Sequence, residues 1–128
     1  MIPNLIDGEL FFGPKLLTAR EAIEQLNADA GALSGSIDEL RHAEFNAQRK
    51  LETAAVDGEP LADYRRTVAQ IRHELAEIER ERNELLFAAK RVSDAEVAHI
   101  ARQIAAAERE AIAALTRPFE TILKETAL

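Results

Sequence analysis

Apolar residues recur every three or four positions over most of the chain from Thr18 onward. This spacing marks one face of an α-helix, and its repeat of seven is typical of helices that pack side by side. The segment "TARE" predicts the start of helix one, with Thr18 as the N-cap and Glu21 three residues later. The apolar positions of this helix are Ile23, Leu26, Ala30, Leu33, Ile37, Leu40, Ala47, Leu51 and Ala54.

The segment "VDGEP", residues 56–60, is predicted to end helix one and to start helix two. Gly58 can adopt the left-handed conformation that closes a helix, and Pro60 suits the first turn of the next one. A second series of apolar positions then follows at Leu61, Tyr64, Val68, Ile71, Leu75, Ile78, Leu85, Ala89 and Val92.

The two apolar series match each other when the chain is folded back at this turn. Leu40 then faces Leu75 and Ile23 faces Val92, and every such pair has the same sum of residue numbers. One fold-back therefore aligns all the apolar layers. The pattern predicts an all-α protein built on a long antiparallel helical hairpin, a coiled coil over residues 18–92, with arms about 50 Å long.

A third helix is predicted over residues 93–128, because "SDAE" at Ser93 repeats the capping pattern. Pro118 should kink this helix or start a short last one. Its apolar stripe is broad and must be covered, either by the hairpin near Leu86 and Phe87 or by another chain. The residues predicted to contact another protein on this helix are Ile112, Leu115, Phe119 and Ile122.

Residues 1–17 are predicted to form a short, non-helical, extended apolar arm. Within it, Asp7-Gly8 lies between apolar residues, which is the signal for a two-residue β-hairpin turn. Such a small hairpin needs burial to be stable. The arm could fold over the open end of the bundle, onto Ile23 and Phe87, or dock on a second subunit or partner protein. Its candidate interaction residues are Leu5, Ile6, Leu10, Phe11, Phe12, Leu16 and Leu17.

The composition narrows the range of partners. The chain has 128 residues, no cysteine and a net charge of -7, so its overall field should repel nucleic acid. Helix two carries arginines interleaved with acidic residues, and a nucleic-acid-associated protein using this face is the alternative interpretation. These arginines are Arg65, Arg66, Arg72, Arg80, Arg82 and Arg91.

With no targeting segment and no membrane-length apolar run, we expect a cytoplasmic protein, and the Arg- and Ala-rich composition suggests a bacterial or phage origin.

Two Glu-x-x-His pairs, Glu39 with His42 and Glu96 with His99, have the spacing found in di-iron helical bundles. The first pair should point away from the hairpin seam, and Glu96 is explained as a capping residue, so we expect no metal site. Phosphate-binding loops and catalytic triads are not evident in the sequence either. We therefore expect no catalytic residues, no cofactor and no small-molecule substrate.

Glu44 and Arg82 place charges within the otherwise apolar series, where a buried unpaired charge is costly. Each is predicted to reach solvent or a flanking group, Glu44 with Arg72 and Arg82 beside Ser34 and Ser36. Alternatively, they select the register or the partner. Taken together, the sequence predicts a non-enzymatic structural or adaptor protein that forms a homo-oligomer or binds another protein.

Overall fold

The computed structural model describes residues 2–126, without the side chains of residue 121 and residues 124–126. Two long helices follow three short strands that form one small sheet. The elements are β1 (Pro3–Ile6), β2 (Glu9–Phe12), β3 (Leu17–Thr18), α1 (Ala19–Val56) and α2 (Ala62–Thr126). The predicted helical fold is confirmed at this level, with a three-stranded sheet where an extended arm was predicted.

Both ends of α1 follow from local signals in the sequence. Thr18 is the N-cap, and its hydroxyl oxygen accepts a hydrogen bond from the backbone N–H of Glu21 at 3.3 Å. At the other end Gly58 has φ +71°, and the N–H of Glu59 donates to the carbonyl of Ala54 at 2.9 Å. This left-handed closure satisfies a carbonyl that the helix itself leaves unpaired. The turn predicted at Gly58 is confirmed.

The two helices pack against each other in antiparallel order. Near the start of α1, Leu26 shares a buried cluster with Ala89 and Val92, whereas farther along Glu44 lies 3.5 Å from Arg72. Every position of both predicted apolar series is buried or half-buried, and these positions form the hairpin seam. The predicted antiparallel pairing of the two helices is therefore confirmed.

The predicted third helix does not exist as a separate element. α2 runs without a break through Ser93 and ends at Thr126, and Pro118 lies inside it. The capping pattern at Ser93 is ineffective because the surrounding sequence has neither Gly nor Pro and consists mainly of good helix formers, among which a serine costs only about 0.5 kcal/mol. The sequence at Gly58 and Pro60, by contrast, does break the helix.

Because α2 is continuous, it extends past the beginning of α1 by about 30 residues, or about 45 Å at 1.5 Å per residue. We call residues 97–123 the α2 extension. It does not fold back onto the hairpin. The predicted possibility that the hairpin near Leu86 and Phe87 covers its apolar side is therefore wrong. Both side chains remain exposed, Phe87 by 61%.

The predicted β-hairpin at Asp7-Gly8 is confirmed. Both residues have positive φ (50° and 83°), and Ile6 pairs with Glu9 directly across the turn. Positive φ at both central positions is the turn type that matches the twist of paired strands, and glycine adopts it without steric cost. The sheet also has a third strand, β3, which pairs with β2 through Phe11 and Thr18.

One face of this sheet packs on the helices of the same chain. Leu10 and Phe12 are buried, Phe12 to 1% exposure, in a cluster that includes Ala22 and Val92. Ile23 packs against this cluster, whereas Phe87 stays outside it. The arm therefore covers the open end of the helix pair over Ile23, as one of the two possibilities predicted, but does not reach Phe87.

Glu44 and Arg82, the two charged residues within the hairpin seam, differ in whether a polar partner is present. Glu44 forms the predicted ion pair with Arg72. The Nε of Arg82 is buried and, within the part of the chain that the structure describes, has no hydrogen-bond partner. Ser34 does not accept from it, and instead donates to the carbonyl of Ala30 at 3.1 Å. Arg82 is thus a polar interruption of the seam whose cost is not offset by a hydrogen bond at Nε.

Tyr64 joins the first turn of α2 to the loop before it. Its hydroxyl donates a hydrogen bond to a carboxylate oxygen of Glu59 at 3.0 Å. This hydrogen bond and the negative charge of Glu59 raise the pKa of Tyr64 above its usual value, because both favour the protonated hydroxyl.

Candidate protein-interaction surface

The α2 extension exposes a row of large apolar side chains. The exposure of Leu115 is 69% and that of Phe119 is 67%. The eight members of the row are Val97, Ile100, Ile104, Ile112, Leu115, Phe119, Ile122 and Leu123. All four residues predicted from the sequence to contact another protein on this helix belong to it. We call this row, with the alanines between its members, the apolar stripe.

The apolar stripe lies on one side of the helix, and the charged residues of the extension other than Glu108 project at least about 120° away from Val97. At 100° per residue, Val97, Ile104 and Leu115 project within about 20° of one direction. The charged residues on the opposite side are Arg102, Arg109, Glu110, Arg117 and Glu120. This is the pattern of a surface helix whose apolar side packs on something, yet here that side is exposed. Exposed apolar patches of this kind mark interaction sites.

The sheet holds the base of the extension from the side facing away from the apolar stripe. The carbonyl oxygen of Gly8 lies 2.7 Å from Nε2 of His99 and accepts a hydrogen bond from Nε2 of Gln103 at 2.8 Å. A carbonyl oxygen can only accept, so the proton of the His99 ring is on Nε2. His99 and Gln103 project about 200° and 240° from Val97 around the helix, so the sheet leaves the stripe uncovered.

An open groove lies where the sheet meets the two helices. It is lined by Gly8 and Leu10 of the sheet, Ile23 of α1, and Glu96 and Val97 of α2. Val97 belongs to both the groove and the apolar stripe, so the two surfaces are continuous.

The residues predicted for interaction in the arm divide into two groups. Leu10 and Phe12 are buried and Phe11 and Leu17 are half-buried, so packing within the chain uses much of their apolar surface. The exposed members of the predicted set are Leu5, Ile6 and Leu16. The exposed apolar surface of the arm is therefore smaller than that of the α2 extension.

The arginines of helix two form a surface of mixed charge. Arg66 lies 3.7 Å from Asp63, Arg72 pairs with Glu44 across the hairpin, and Arg82 is half-buried. The acidic partners of Arg66 and Arg72 reduce the positive field that a phosphate backbone would need.

The histidines of the two Glu-x-x-His pairs, His42 and His99, lie in different places on the molecule. His42 is exposed on the outer side of α1, and His99 contacts the tip of the β-hairpin. Among the side chains that the structure describes, those of residues 2–120, 122 and 123, no three from His, Asp or Glu lie close enough together to hold a metal ion.

In the same described part of the chain, no helix combines the length and the apolar character needed to cross a membrane.

Comparison with known proteins gives no match: no protein family, no curated protein and no solved structure is significantly similar to this chain.

Proposed function

We propose that this chain is a non-enzymatic structural or adaptor protein that assembles with another polypeptide through its α2 extension. The observation that carries this proposal is the apolar stripe on the extension. In this account the helical hairpin is an antiparallel coiled coil that, together with the sheet, holds the extension in place. The exposed residues of the predicted arm set, Leu5, Ile6 and Leu16, add a smaller contact area.

The energy available from the stripe is sufficient for association. Fully burying one large apolar side chain contributes about 1.5–3 kcal/mol, and the stripe has eight of them. Part of this gain is offset by the lost freedom of two molecules that become one, a cost of about 4–15 kcal/mol. Toward the middle of both ranges the gain exceeds the cost, and a helix presenting apolar side chains on one side is a common way to bind a protein groove or a second helix.

The charge distribution favours a protein partner over nucleic acid. The chain has a net charge of -7, and the arginines of the hairpin part of α2 are interleaved with acidic residues. Within the stripe itself, the contacts offered are apolar apart from Glu108, whose negative charge would repel a phosphate backbone. Nucleic-acid binding would depend instead on a positively charged surface and would weaken steeply with salt.

The proposal can be tested in the native host with a photoreactive amino acid placed at one position of α2. We expect the probe at Leu115, in the stripe, to form a covalent product with a defined protein, which mass spectrometry identifies as either the same chain or another one. The matched control is the probe at Ala106, which is exposed on the opposite side of the same helix and should give no such product.

Two results would contradict assembly through the stripe. In the first, the probe at Leu115 forms no protein product in cells that contain the chain at its normal level. In the second, Leu115 and Ala106 give the same products, which would indicate random collisions. A product with nucleic acid from a third probe position, Arg80, would favour the alternative function.

A further inference from the structure

We propose that the partner of the α2 extension is the extension of a second copy of this chain, lying antiparallel to it. This inference rests on the proposed assembly function and names its partner. It is drawn from the order of large, small and charged residues along the extension, which is complementary to itself in one antiparallel register.

In an antiparallel pair of helices, the residue numbers of two facing residues always add up to the same total, as in the register predicted for α1 and α2. Placing Ile104 opposite Leu115 of the second copy also places Val97 opposite Ile122 and Ala101 opposite Pro118. All six positions lie on the apolar side of α2, and each layer is repeated by the two-fold symmetry. Every outer layer of the pair is then apolar on both sides, as in antiparallel coiled coils.

The flanks of this pairing match in size. Ala105 lies beside Ile112 of the second copy, and Ala98 lies beside Phe119, with each pair offset by two residues, or about 3 Å along the axis, from the facing positions. A small residue against a large one lets two helices approach closely while the large side chain fills the space. The exposed Ile112 and Phe119 would thus become buried without a clash.

The charges near the centre also match. Glu108 is the charged residue within the stripe, and in this register it faces Ala111 of the second copy, with the other Glu108 one layer away, about 4.5 Å along the axis. The side chain of Arg109 of the second copy, at the edge of the pairing, lies within one helical turn of Glu108. The two-fold axis produces this contact twice. Each carboxylate near the seam therefore has an arginine within reach, which reduces the cost of placing a charge beside apolar surface.

A parallel pairing would keep the apolar layers but would lose the match of small against large residues and the offset between the two Glu108 residues. Each residue would meet its own copy, so Phe119 would face Phe119 and Glu108 would face Glu108, with like charges repelling. It would also bring the two sheets, which contact α2 at His99 and Gln103, to the same level. The antiparallel arrangement places the two folded hairpins at opposite ends.

The apolar surface area that this pairing would bury agrees with a closed dimer of moderate affinity. The eight large side chains of each copy, at about 60 Å² apiece, would bury on the order of 1,000 Å² in total. This lies at the lower end of specific interfaces. The two-fold contact uses the same surface on both copies, so it closes as a dimer and does not propagate into a filament.

Cysteine cross-linking of the full chain tests both the partner and the register, because the natural sequence contains no cysteine. The two single variants Ile104→Cys and Leu115→Cys are purified, mixed in equal amounts and oxidised mildly. We expect the mixed disulfide to be the main product, because facing positions approach the Cα separation of about 4.4–6.8 Å that a disulfide needs. The matched control mixes Ile104→Cys with Ala106→Cys, and it should cross-link several times more slowly.

Each alternative result overturns a defined part of the inference. If Ile104→Cys alone links to itself as fast as the mixture links, the pairing is parallel. If the mixture and the control are equally slow, and the chain stays monomeric at high concentration, the second copy is not the partner. The proposed function survives that second result if the photoreactive probe at Leu115 still captures a different protein, and it fails if that probe captures nothing or gives the same products as the probe at Ala106.

Discussion

Replacing Ile37 by aspartate should abolish most of the stability of the helical hairpin. Ile37 is 1% exposed and lies in the middle of the hairpin seam. Removing a buried isoleucine side chain costs about 2–5 kcal/mol, and a carboxylate without a partner in its place adds a desolvation cost of several kcal/mol. Because native domains are stable by only about 5–15 kcal/mol, we expect a large loss of helicity at room temperature.

Circular dichroism and thermal melting of the full chain measure this effect. The matched control is Ala32→Asp, which introduces the same charge at an exposed position of the same helix. The control should melt within a few degrees of the unchanged chain. Equal melting curves for Ile37→Asp and Ala32→Asp would mean that the seam assigned to α1 is wrong.

Replacing Phe12 by alanine should detach the sheet from the helices. Phe12 is 1% exposed and fills the cluster formed with Ala22, Leu26 and Val92. A buried phenylalanine replaced by alanine typically costs about 3–5 kcal/mol. The sheet has no other large core, so most of this loss should appear as local opening of the sheet and of the neighbouring turns of α1 and α2.

Hydrogen exchange, followed residue by residue, distinguishes local opening from global unfolding. We expect protection to fall strongly in β2 and near Ala22, while it changes little near Ile37. The control Leu5→Ala removes an apolar side chain that is 67% exposed and should leave protection nearly unchanged. A uniform loss along α1 and α2 would show instead that the sheet and the seam unfold as one unit.

The hairpin could be predicted from the sequence because its two apolar series constrain each other. Gly58 fixes where the chain reverses, and the long match between the series then leaves one register that buries Leu26, Ile37 and Val68. The β-turn at Asp7-Gly8 was also predictable, because few residue pairs adopt positive φ at both positions. The signal is strong in both cases, as a local residue pair at the β-turn and as a long match between two series in the hairpin.

The failures came from weaker local signals. Ser93 has the residues of a helix start, yet such a start requires the preceding helix to end, and the sequence around Ser93 favours a continuous helix. β3 has only two residues, too few to show an alternation. The hydrogen bonds of His99 and Gln103 to Gly8 join residues far apart in sequence. The four-residue spacing of His99 and Gln103 places them on one side of α2, but no pattern in the sequence identifies the carbonyl of Gly8 as their hydrogen-bond partner.

The candidate surface was predicted in part. Its residues on α2, such as Leu115 and Phe119, were identified because the stripe is broader than one packing contact requires. Its geometry depended on whether α2 breaks at Ser93, which the sequence alone did not settle. The arm was harder to predict, since Leu10 and Phe12 are buried within the chain while Leu5 is exposed, and all three are equally apolar.

The solution mass of the purified full chain, measured by light scattering over a wide range of concentration, tests the central claim most directly. The chain should approach twice the mass of one copy as its concentration rises. Leu115→Asp should remain a monomer with unchanged helicity, and Ala106→Asp should still dimerise. A chain that stays monomeric at all concentrations, or a Leu115→Asp variant that dimerises like the unchanged protein, would contradict self-assembly through the α2 extension.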